Sequence, residues 1–232
     1  MKAQQDMTLK ASDLAFERGQ RRLFSGIGFD VAPGEVLRVK GRNGSGKTSL
    51  LRVVCGLAQP VQGMVSWRGQ PIRTQRERLH ADLVFIGHGH ALKDDLTACE
   101  NVHIAAALSD QPCTRADARQ ALRRMGLADR ADLPVRALSQ GQRRRVLLAR
   151  LGLATSEVLA RRLLVLDEPF TALDQESVSA LAVLLNAQLA AGATLVYTTH
   201  QPDGILAARL HEVVLGEAVP AANEAEFHDK AI

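Results

Sequence analysis

One short stretch limits what this chain can become more than any other. Gly41-Arg42-Asn43-Gly44-Ser45-Gly46-Lys47-Thr48 fits the spacing G-x4-G-K-[ST]. It follows an apolar, β-branched run, Val36-Leu37-Arg38-Val39, and opens a helical pattern from Lys47 to about Cys55 that Gly56 ends. A strand that feeds a glycine-rich turn into a helix start makes an anion cradle. The glycines let backbone N–H groups turn inward, and the helix N-terminus adds partial positive charge. Lys47 can bridge phosphate oxygens and the Thr48 hydroxyl can face Mg²⁺. The residues expected to hold a nucleotide are therefore Gly41, Arg42, Asn43, Gly44, Ser45, Gly46, Lys47, Thr48 and Ser49. The motif specifies nucleotide binding but not which reaction follows.

The rest of the chain reads as an α/β scaffold around that loop. Leu9 to Phe16 and Gly28 to Val31 read as strands around a turn near Gly19, and Gly63 to Arg68 and Leu83 to Ile86 as further strands. Leu163-Leu164-Val165-Leu166 is a continuous apolar run, the pattern of a parallel strand buried on both faces, and it ends in Asp167-Glu168. A helix from about Gln175 to Ala190 and a strand at Thr194 to Tyr197 follow, which implies right-handed βαβ units. Between these halves, Leu96 to Leu153 reads as almost all helix. Thr97 and Glu100 form a capping box, Thr114 opens a second helix that stops at Gly126, and a third follows Ser139. The expected layout is one α/β domain, with residues 1–88 and 158–232 as its core and residues 89–157 as an inserted helical lobe.

Composition excludes several alternatives. Only 3% of the 232 residues are aromatic, too few to supply stacking platforms for single-stranded nucleic acid or RNA. The formal charge of +4 is mild and suits a solvated basic face, or a face held near anionic headgroups or acidic loops. Cys55, Cys99 and Cys113 match neither a zinc site nor a Cys-x-x-Cys pair, and scattered cysteines suit a reducing compartment. Met1 to Lys10 carries no apolar core of a signal peptide, and Met1 to Asp6 is polar and expected to be loose. No apolar run reaches the roughly 18–20 residues of a membrane span. If a membrane is involved, another chain is expected to cross it.

Two acidic residues and one polar helix start complete the chemical reading. Ligands gather at the carboxyl ends of parallel strands, so Asp167 can face the Mg²⁺ shell, and Glu168 can take a proton from an attacking water. Leu138-Ser139-Gln140-Gly141-Gln142 begins a helix whose N-terminus could bind a second anion. Taken alone it is an ordinary Ser-capped helix. Gly41–Thr48, Leu138–Gln142, Leu163–Glu168, Ala172-Leu173-Asp174 and His200 stand in the order and rough spacing of the Walker A, signature, Walker B, D-loop and H-loop motifs. The chain thus resembles ABC transporter ATPases from about Leu9 to Leu215. The resemblance implies a P-loop NTPase (RecA-like) core with an N-terminal antiparallel β subdomain and an inserted α-helical subdomain. It implies a head-to-tail homodimer in which Ser139, Gln140, Gly141 and Gln142 of one copy close over ATP held by the other. It also implies Glu168 as catalytic base, His200 as γ-phosphate sensor, Lys47 on the phosphates, Asp174 crossing the interface, and Mg²⁺ on Thr48 and, through water, on Asp167.

Two positions depart from the general pattern. His88 stands where the Q-loop glutamine is expected, and it can meet Mg²⁺ or the attacking water. The adenine-stacking aromatic expected near Arg18 is missing, which leaves Arg18, through its guanidinium plane, or Phe16. Ile86-Gly87-His88, Gln142-Arg143-Arg144-Arg145, Leu166–Asp174 and Thr198–Pro202 are similar to the ATPases of cytochrome c maturation. That resemblance implies integral membrane partners of the CcmB and CcmC type and ATP-driven haem export, or release of a haem-loaded chaperone. It places the chain peripherally on the cytoplasmic face of the inner membrane. Haem is expected on the partners, because His88 and His90 belong to a nucleotide-site loop.

Overall fold

In chain order the strands are β1 (Leu9–Arg18), β2 (Arg21–Val31), β3 (Val36–Gly41), β4 (Gln62–Trp67), β5 (Gln70–Pro71), β6 (Leu83–Ile86), β7 (Leu163–Leu166), β8 (Thr194–Thr198) and β9 (Leu210–Leu215). The helices are α1 (Lys47–Val54), α2 (Arg76–Asp82), α3 (Ala98–Ala107), α4 (Arg115–Arg124), α5 (Gln140–Ala149) and α6 (Gln175–Ala190). The structure is a computed structural model and describes residues 8–89, 91–109, 113–153, 162–201 and 203–216. His90, Met1 to Asp6 and the expected lobe boundary at residues 157–158 lie outside the described residues.

Side-chain alternation along the central strands decides the layering. β6, β7, β8, β3 and β9, in that order, form a parallel sheet. Leu37, Val39, Leu163, Val165 and Val196 pack on one side with Leu50, Leu51 and Val54 of α1 and with Leu9, Leu14 and Val65 of the antiparallel sheet β2-β1-β4-β5. Val36, Leu164, Leu166, Leu195 and Tyr197 pack on the other side with Leu181 and Leu185 of α6 and with the helices α3, α4 and α5. With both faces covered, every residue of β7 and β8 is buried, as the unbroken apolar run predicts. The phosphate loop, Asp167-Glu168 and the segment after β8 all leave from the carboxyl edge of this sheet.

The three helices of the lobe each begin with a reciprocal capping box, Thr97–Glu100, Thr114–Asp117 and Ser139–Gln142. The lobe is less continuous than its composition suggests. Between α4 and α5 the chain makes only two 3₁₀ turns, Ala128–Arg130 and Val135–Ala137. Gly126, at φ +67°, ends α4, and Pro134 lacks the N–H a continuing helix would use. β2 is longer than the expected Gly28–Val31. Pairing with β1 from Arg18↔Arg21 to Leu9↔Val31 carries it through its glycines, so the ladder overrides local propensity. Among the described residues no helix is long and apolar enough to cross a membrane.

The turn Ala32–Glu35 that delivers β3 is fixed by one carboxylate. Glu35 accepts the Ala32 N–H at 3.0 Å and lies 2.7 Å from His211 Nε2 on β9. Burial alone would raise its pKa, but the Ala32 amide and His211 outweigh burial and hold it below 4.5. A lowered folded-state pKa contributes stability above the unfolded value of about 4.3, and that stability is lost as pH falls through the folded value. Glu35→Gln should therefore destabilise the protein at about pH 7 and cost progressively less towards about pH 3. Urea melts followed by Trp67 fluorescence check this, and a penalty independent of pH would contradict it.

Candidate nucleotide-hydrolysis site

The phosphate loop has the shape that only its glycines permit. Gly41 is at φ +144°, and a Cβ there would sit 2.5 Å from the Leu215 carbonyl oxygen and from Ser45 Oγ. Gly46, the N-cap of α1, is at φ +103°, and its Cβ would lie 3.1 Å from the Leu23 side chain. Lys47 is buried and donates to the carbonyl oxygens of Gly41 at 2.7 Å and Arg42 at 3.3 Å. Ser45 Oγ is buried without a hydrogen-bond partner among the described residues. A lysine folded onto loop carbonyls and an orphaned hydroxyl are polar groups that an anion in the cradle would satisfy.

Around the loop lies an open cleft of about 460 Å³ lined by Arg18, Arg21, Asn43, Lys47, Thr48 and Glu168, among others. Arg18 is exposed and faces this cleft, whereas Phe16 is partly buried and stacks on Phe24 with ring centroids 5.8 Å apart. The base-stacking alternatives are thereby separated in position, with Arg18 at the cleft and Phe16 against the core.

Asp167 joins the two halves of the site. Its buried carboxylate accepts from Thr48 Oγ1 at 2.7 Å and from Thr198 Oγ1 at 2.8 Å. Thr198 Oγ1 in turn accepts the Glu168 N–H at 2.8 Å. A hydroxyl and a carboxylate meeting at the phosphate loop form a hard oxygen donor set that suits Mg²⁺. Glu168 is a non-glycine residue at φ +49°, a strained backbone conformation. One carboxylate oxygen lies 3.6 Å from His200 Nε2, and the other accepts from Thr171 Oγ1 at 3.3 Å. His200 is half-exposed.

The lobe residues reach the same place from the other side. Ser139 caps its own helix, accepting the Gln142 N–H at 3.2 Å, while Gln142 Oε1 accepts the Ser139 N–H at 2.9 Å. A Cβ on Gly141 would come 2.8 Å from the Ala172 carbonyl oxygen, so this helix start rests directly on the turn before Asp174. Asp174 caps α6 through the Ser177 N–H, and hydrogen bonding from the Ser177 side chain and backbone lowers its pKa. His88 and Gln140 line a small pocket of about 40 Å³ together with Glu168. Ser139, Gly141, Gln142 and Asp174 do not line the phosphate cleft of their own chain.

Residue-type reasoning did not single out Arg144 or Thr198. Arg144 is buried on α5 and donates to the carbonyl oxygens of Gly87 at 3.0 Å, Asp167 at 2.9 Å and Glu168 at 2.9 Å. Burial lowers its pKa, and Asp167 and Glu168 oppose that shift. Its signal was helical spacing: Arg144 stands three and four residues before the buried Leu147 and Leu148, a charge on an apolar face. The signal for Thr198 was its place two residues before His200, at the end of a fully buried strand.

A family described as "ABC transporter" matches residues 24–171. Over 193 residues the chain is 51% identical to the "Cytochrome c biogenesis ATP-binding export protein CcmA" of Aromatoleum aromaticum, covering 83% of this chain and 88% of that one. The chain belongs to the ABC transporter ATPase family. The protein of the same name from Dechloromonas aromatica is 47% identical over 208 residues, covering 90% of this chain and 100% of that one. In fold the chain is similar to a dimeric ATP-binding cassette in a post-hydrolysis state bound to ADP and Pi, with a TM-score of 0.70 and 24% identity over 83% of this chain and 88% of that one. The chain is therefore an ATP-hydrolysing subunit of the ABC transporter type, similar over most of its length to proteins named as cytochrome c biogenesis ATP-binding export proteins.

Arg144→Met would leave three backbone carbonyls at the site without their donor. Each lost bond of this kind costs about 1–3 kcal/mol when the acceptor stays buried. The variant should melt earlier and hydrolyse ATP at least about tenfold more slowly, because Glu168 loses its backbone support. Arg144→Lys should recover only part of this, since one ammonium cannot match a planar fork. Differential scanning calorimetry and single-turnover hydrolysis check both, and wild-type turnover in Arg144→Met would contradict the assignment.

Proposed function

We propose that this chain is the motor of a membrane complex that exports haem, or releases a haem-loaded chaperone, during cytochrome c biogenesis. The observation that carries the catalytic part is the convergence of Lys47, Thr48, Asp167, Glu168 and His200 at one sheet edge. The names of its relatives support the biological part.

In this reading ATP is the substrate. The backbone N–H groups of residues 41–48 and Lys47 hold its phosphates, and Arg18 stacks on the base. Thr48 and Asp167 would hold Mg²⁺, which when bound neutralises charge on the phosphate oxygens. Glu168 takes a proton from the attacking water as its oxygen bonds to the γ-phosphorus and the β–γ bridging P–O bond breaks, while His200 senses the γ-phosphate. General-base help of this kind is worth about 10²–10⁴-fold in rate. His88, beside Glu168, meets Mg²⁺ or the water. Two copies pair head to tail, and Ser139, Gln140, Gly141 and Gln142 of each close over the ATP of the other, with Asp174 crossing between them. That the Ser139 helix start does not line the cleft of its own chain supports a site completed in trans. The dimeric form of a cassette with the same fold is consistent with it.

The helical lobe, residues 89–157, passes the closing and opening motion to integral membrane partners resembling CcmB and CcmC, while residues 1–88 and 158–232 carry the nucleotide. The chain sits peripherally on the cytoplasmic face of the inner membrane, binds no nucleic acid and leaves haem to its partners.

Glu168→Gln should retain ATP affinity within about threefold and lose at least about a hundredfold in turnover. Equilibrium nucleotide binding and steady-state hydrolysis check this, and unchanged turnover would remove Glu168 from the base role. For the biological reading, the tagged chain purified from detergent-solubilised membranes should bring multispanning partners and a haem absorption band, while the isolated chain shows no such band. Partners without haem would point to a different cargo, and recovery with ribosomes or DNA alone would end the transporter reading.

A further inference from the structure

We propose that Tyr197, Asp203 and Arg38 form a staple that sets the position of His200, acting as positioning residues for ATP hydrolysis. The inference rests on the role proposed above for His200.

The staple closes the base of the loop that carries the histidine. Tyr197 is completely buried near the end of β8, and its hydroxyl donates to Asp203 Oδ2 at 2.6 Å. Tyr197 stands three positions before His200 and Asp203 three positions after it, so the bond joins the chain just before the histidine to the chain just after it. Asp203 is itself buried, and its other oxygen accepts the Ile205 N–H at 3.1 Å, which ties down the segment that leaves the loop. Inside the loop, Thr199 Oγ1 accepts the Gln201 N–H at 3.1 Å, a local turn that presents His200 at its apex.

Arg38 ties this closed loop to the phosphate cradle. Its Nε donates to the Tyr197 hydroxyl at 2.8 Å and its Nη2 to Asp203 Oδ2 at 3.2 Å, with the guanidinium carbon 5.6 Å from the Tyr197 ring centroid. Arg38 lies on β3, three residues before Gly41, so one side chain refers the His200 loop to the strand that delivers the phosphate loop. The Tyr197 ring also meets Phe170 edge-on, centroids 6.3 Å apart, and Phe170 follows Glu168 by two residues. The tyrosine thus touches the supports of all three partners of the reaction: cradle, carboxylate and histidine.

A purely structural role makes a different prediction. A satisfied buried bond adds little net stability, and a phenylalanine would fill the same space. His200, by contrast, is half-exposed, and among the described residues its ring's side-chain contact is the 3.6 Å approach to Glu168. Its placement depends on the backbone, and a displacement of about 1 Å at a reacting group can cost about a hundredfold in rate.

The test compares Tyr197→Phe, Asp203→Asn, His200→Ala and the Tyr197→Phe/His200→Ala double variant in the full chain assembled with its membrane partners. Tyr197→Phe should lower kcat about tenfold or more while ATP affinity stays within about twofold, and it should add no further loss in the His200→Ala background. Asp203→Asn keeps the side-chain shape and should show the same split, so the proposal stays testable if Tyr197→Phe folds poorly. Wild-type kcat in both single variants, or a Tyr197→Phe loss that multiplies with that of His200→Ala, would overturn the staple while leaving His200 in place. Full turnover in His200→Ala would instead overturn the reading on which the staple rests.

Discussion

A carboxylate with almost no exposure to water needs partners, because an unpaired one would neutralise or unfold its surroundings. Asp167 finds them in two threonine hydroxyls that belong to different parts of the chain. Thr48 comes from the helix that follows the phosphate loop, and Thr198 from the end of β8. The Asp167 N–H donates to the Ile86 carbonyl oxygen at 2.8 Å, which adds β6 and the approach to His88. A single residue therefore ties together α1, the end of β8 and the end of β6, next to Lys47, His200 and His88. Glu168 is the next residue, and its strained turn is stable because Thr198 takes its N–H while Arg144 takes its carbonyl.

The lobe contacts this centre directly. Arg144 runs from α5 to the backbone of Gly87, Asp167 and Glu168, and Gly141 of the same helix rests on the turn that leads to Asp174. Movement of α5 cannot leave the carboxylate pair or the His88 loop unaffected. Arg143 extends the connection, donating to the carbonyl oxygens of Leu138 and Arg136 and pairing with Asp94. Such a lobe can report nucleotide state outward and partner state inward through the same contacts, as a ligand-biased two-state element requires.

Much of this was legible in the residues and some was not. The phosphate loop could be read because its glycines are backbone requirements, visible as spacing. β7 could be read because burial on both faces leaves an unbroken apolar run. The three helix starts of the lobe could be read because capping is local chemistry. What escaped was set by contacts distant in sequence: β2 follows its pairing with β1, β9 is a polar-interrupted edge strand, and Arg144 looks like one more surface cation in Arg143-Arg144-Arg145. The link from Tyr197 to Asp203 and Arg38 was likewise hidden, because its members are brought together only by the order β8-β3-β9. Ser139 is a helix cap within its own chain, and the second role proposed for it depends on a neighbouring copy.

That second role is the point on which the motor account turns. A structure of the hydrolysis-deficient chain with ATP and Mg²⁺ would decide it. The account predicts two copies related by a twofold axis, with each γ-phosphate in hydrogen-bond reach of Lys47 from one copy and Ser139 from the other. A γ-phosphate contacted by a single chain, with Ser139 of every copy far from it, would contradict it.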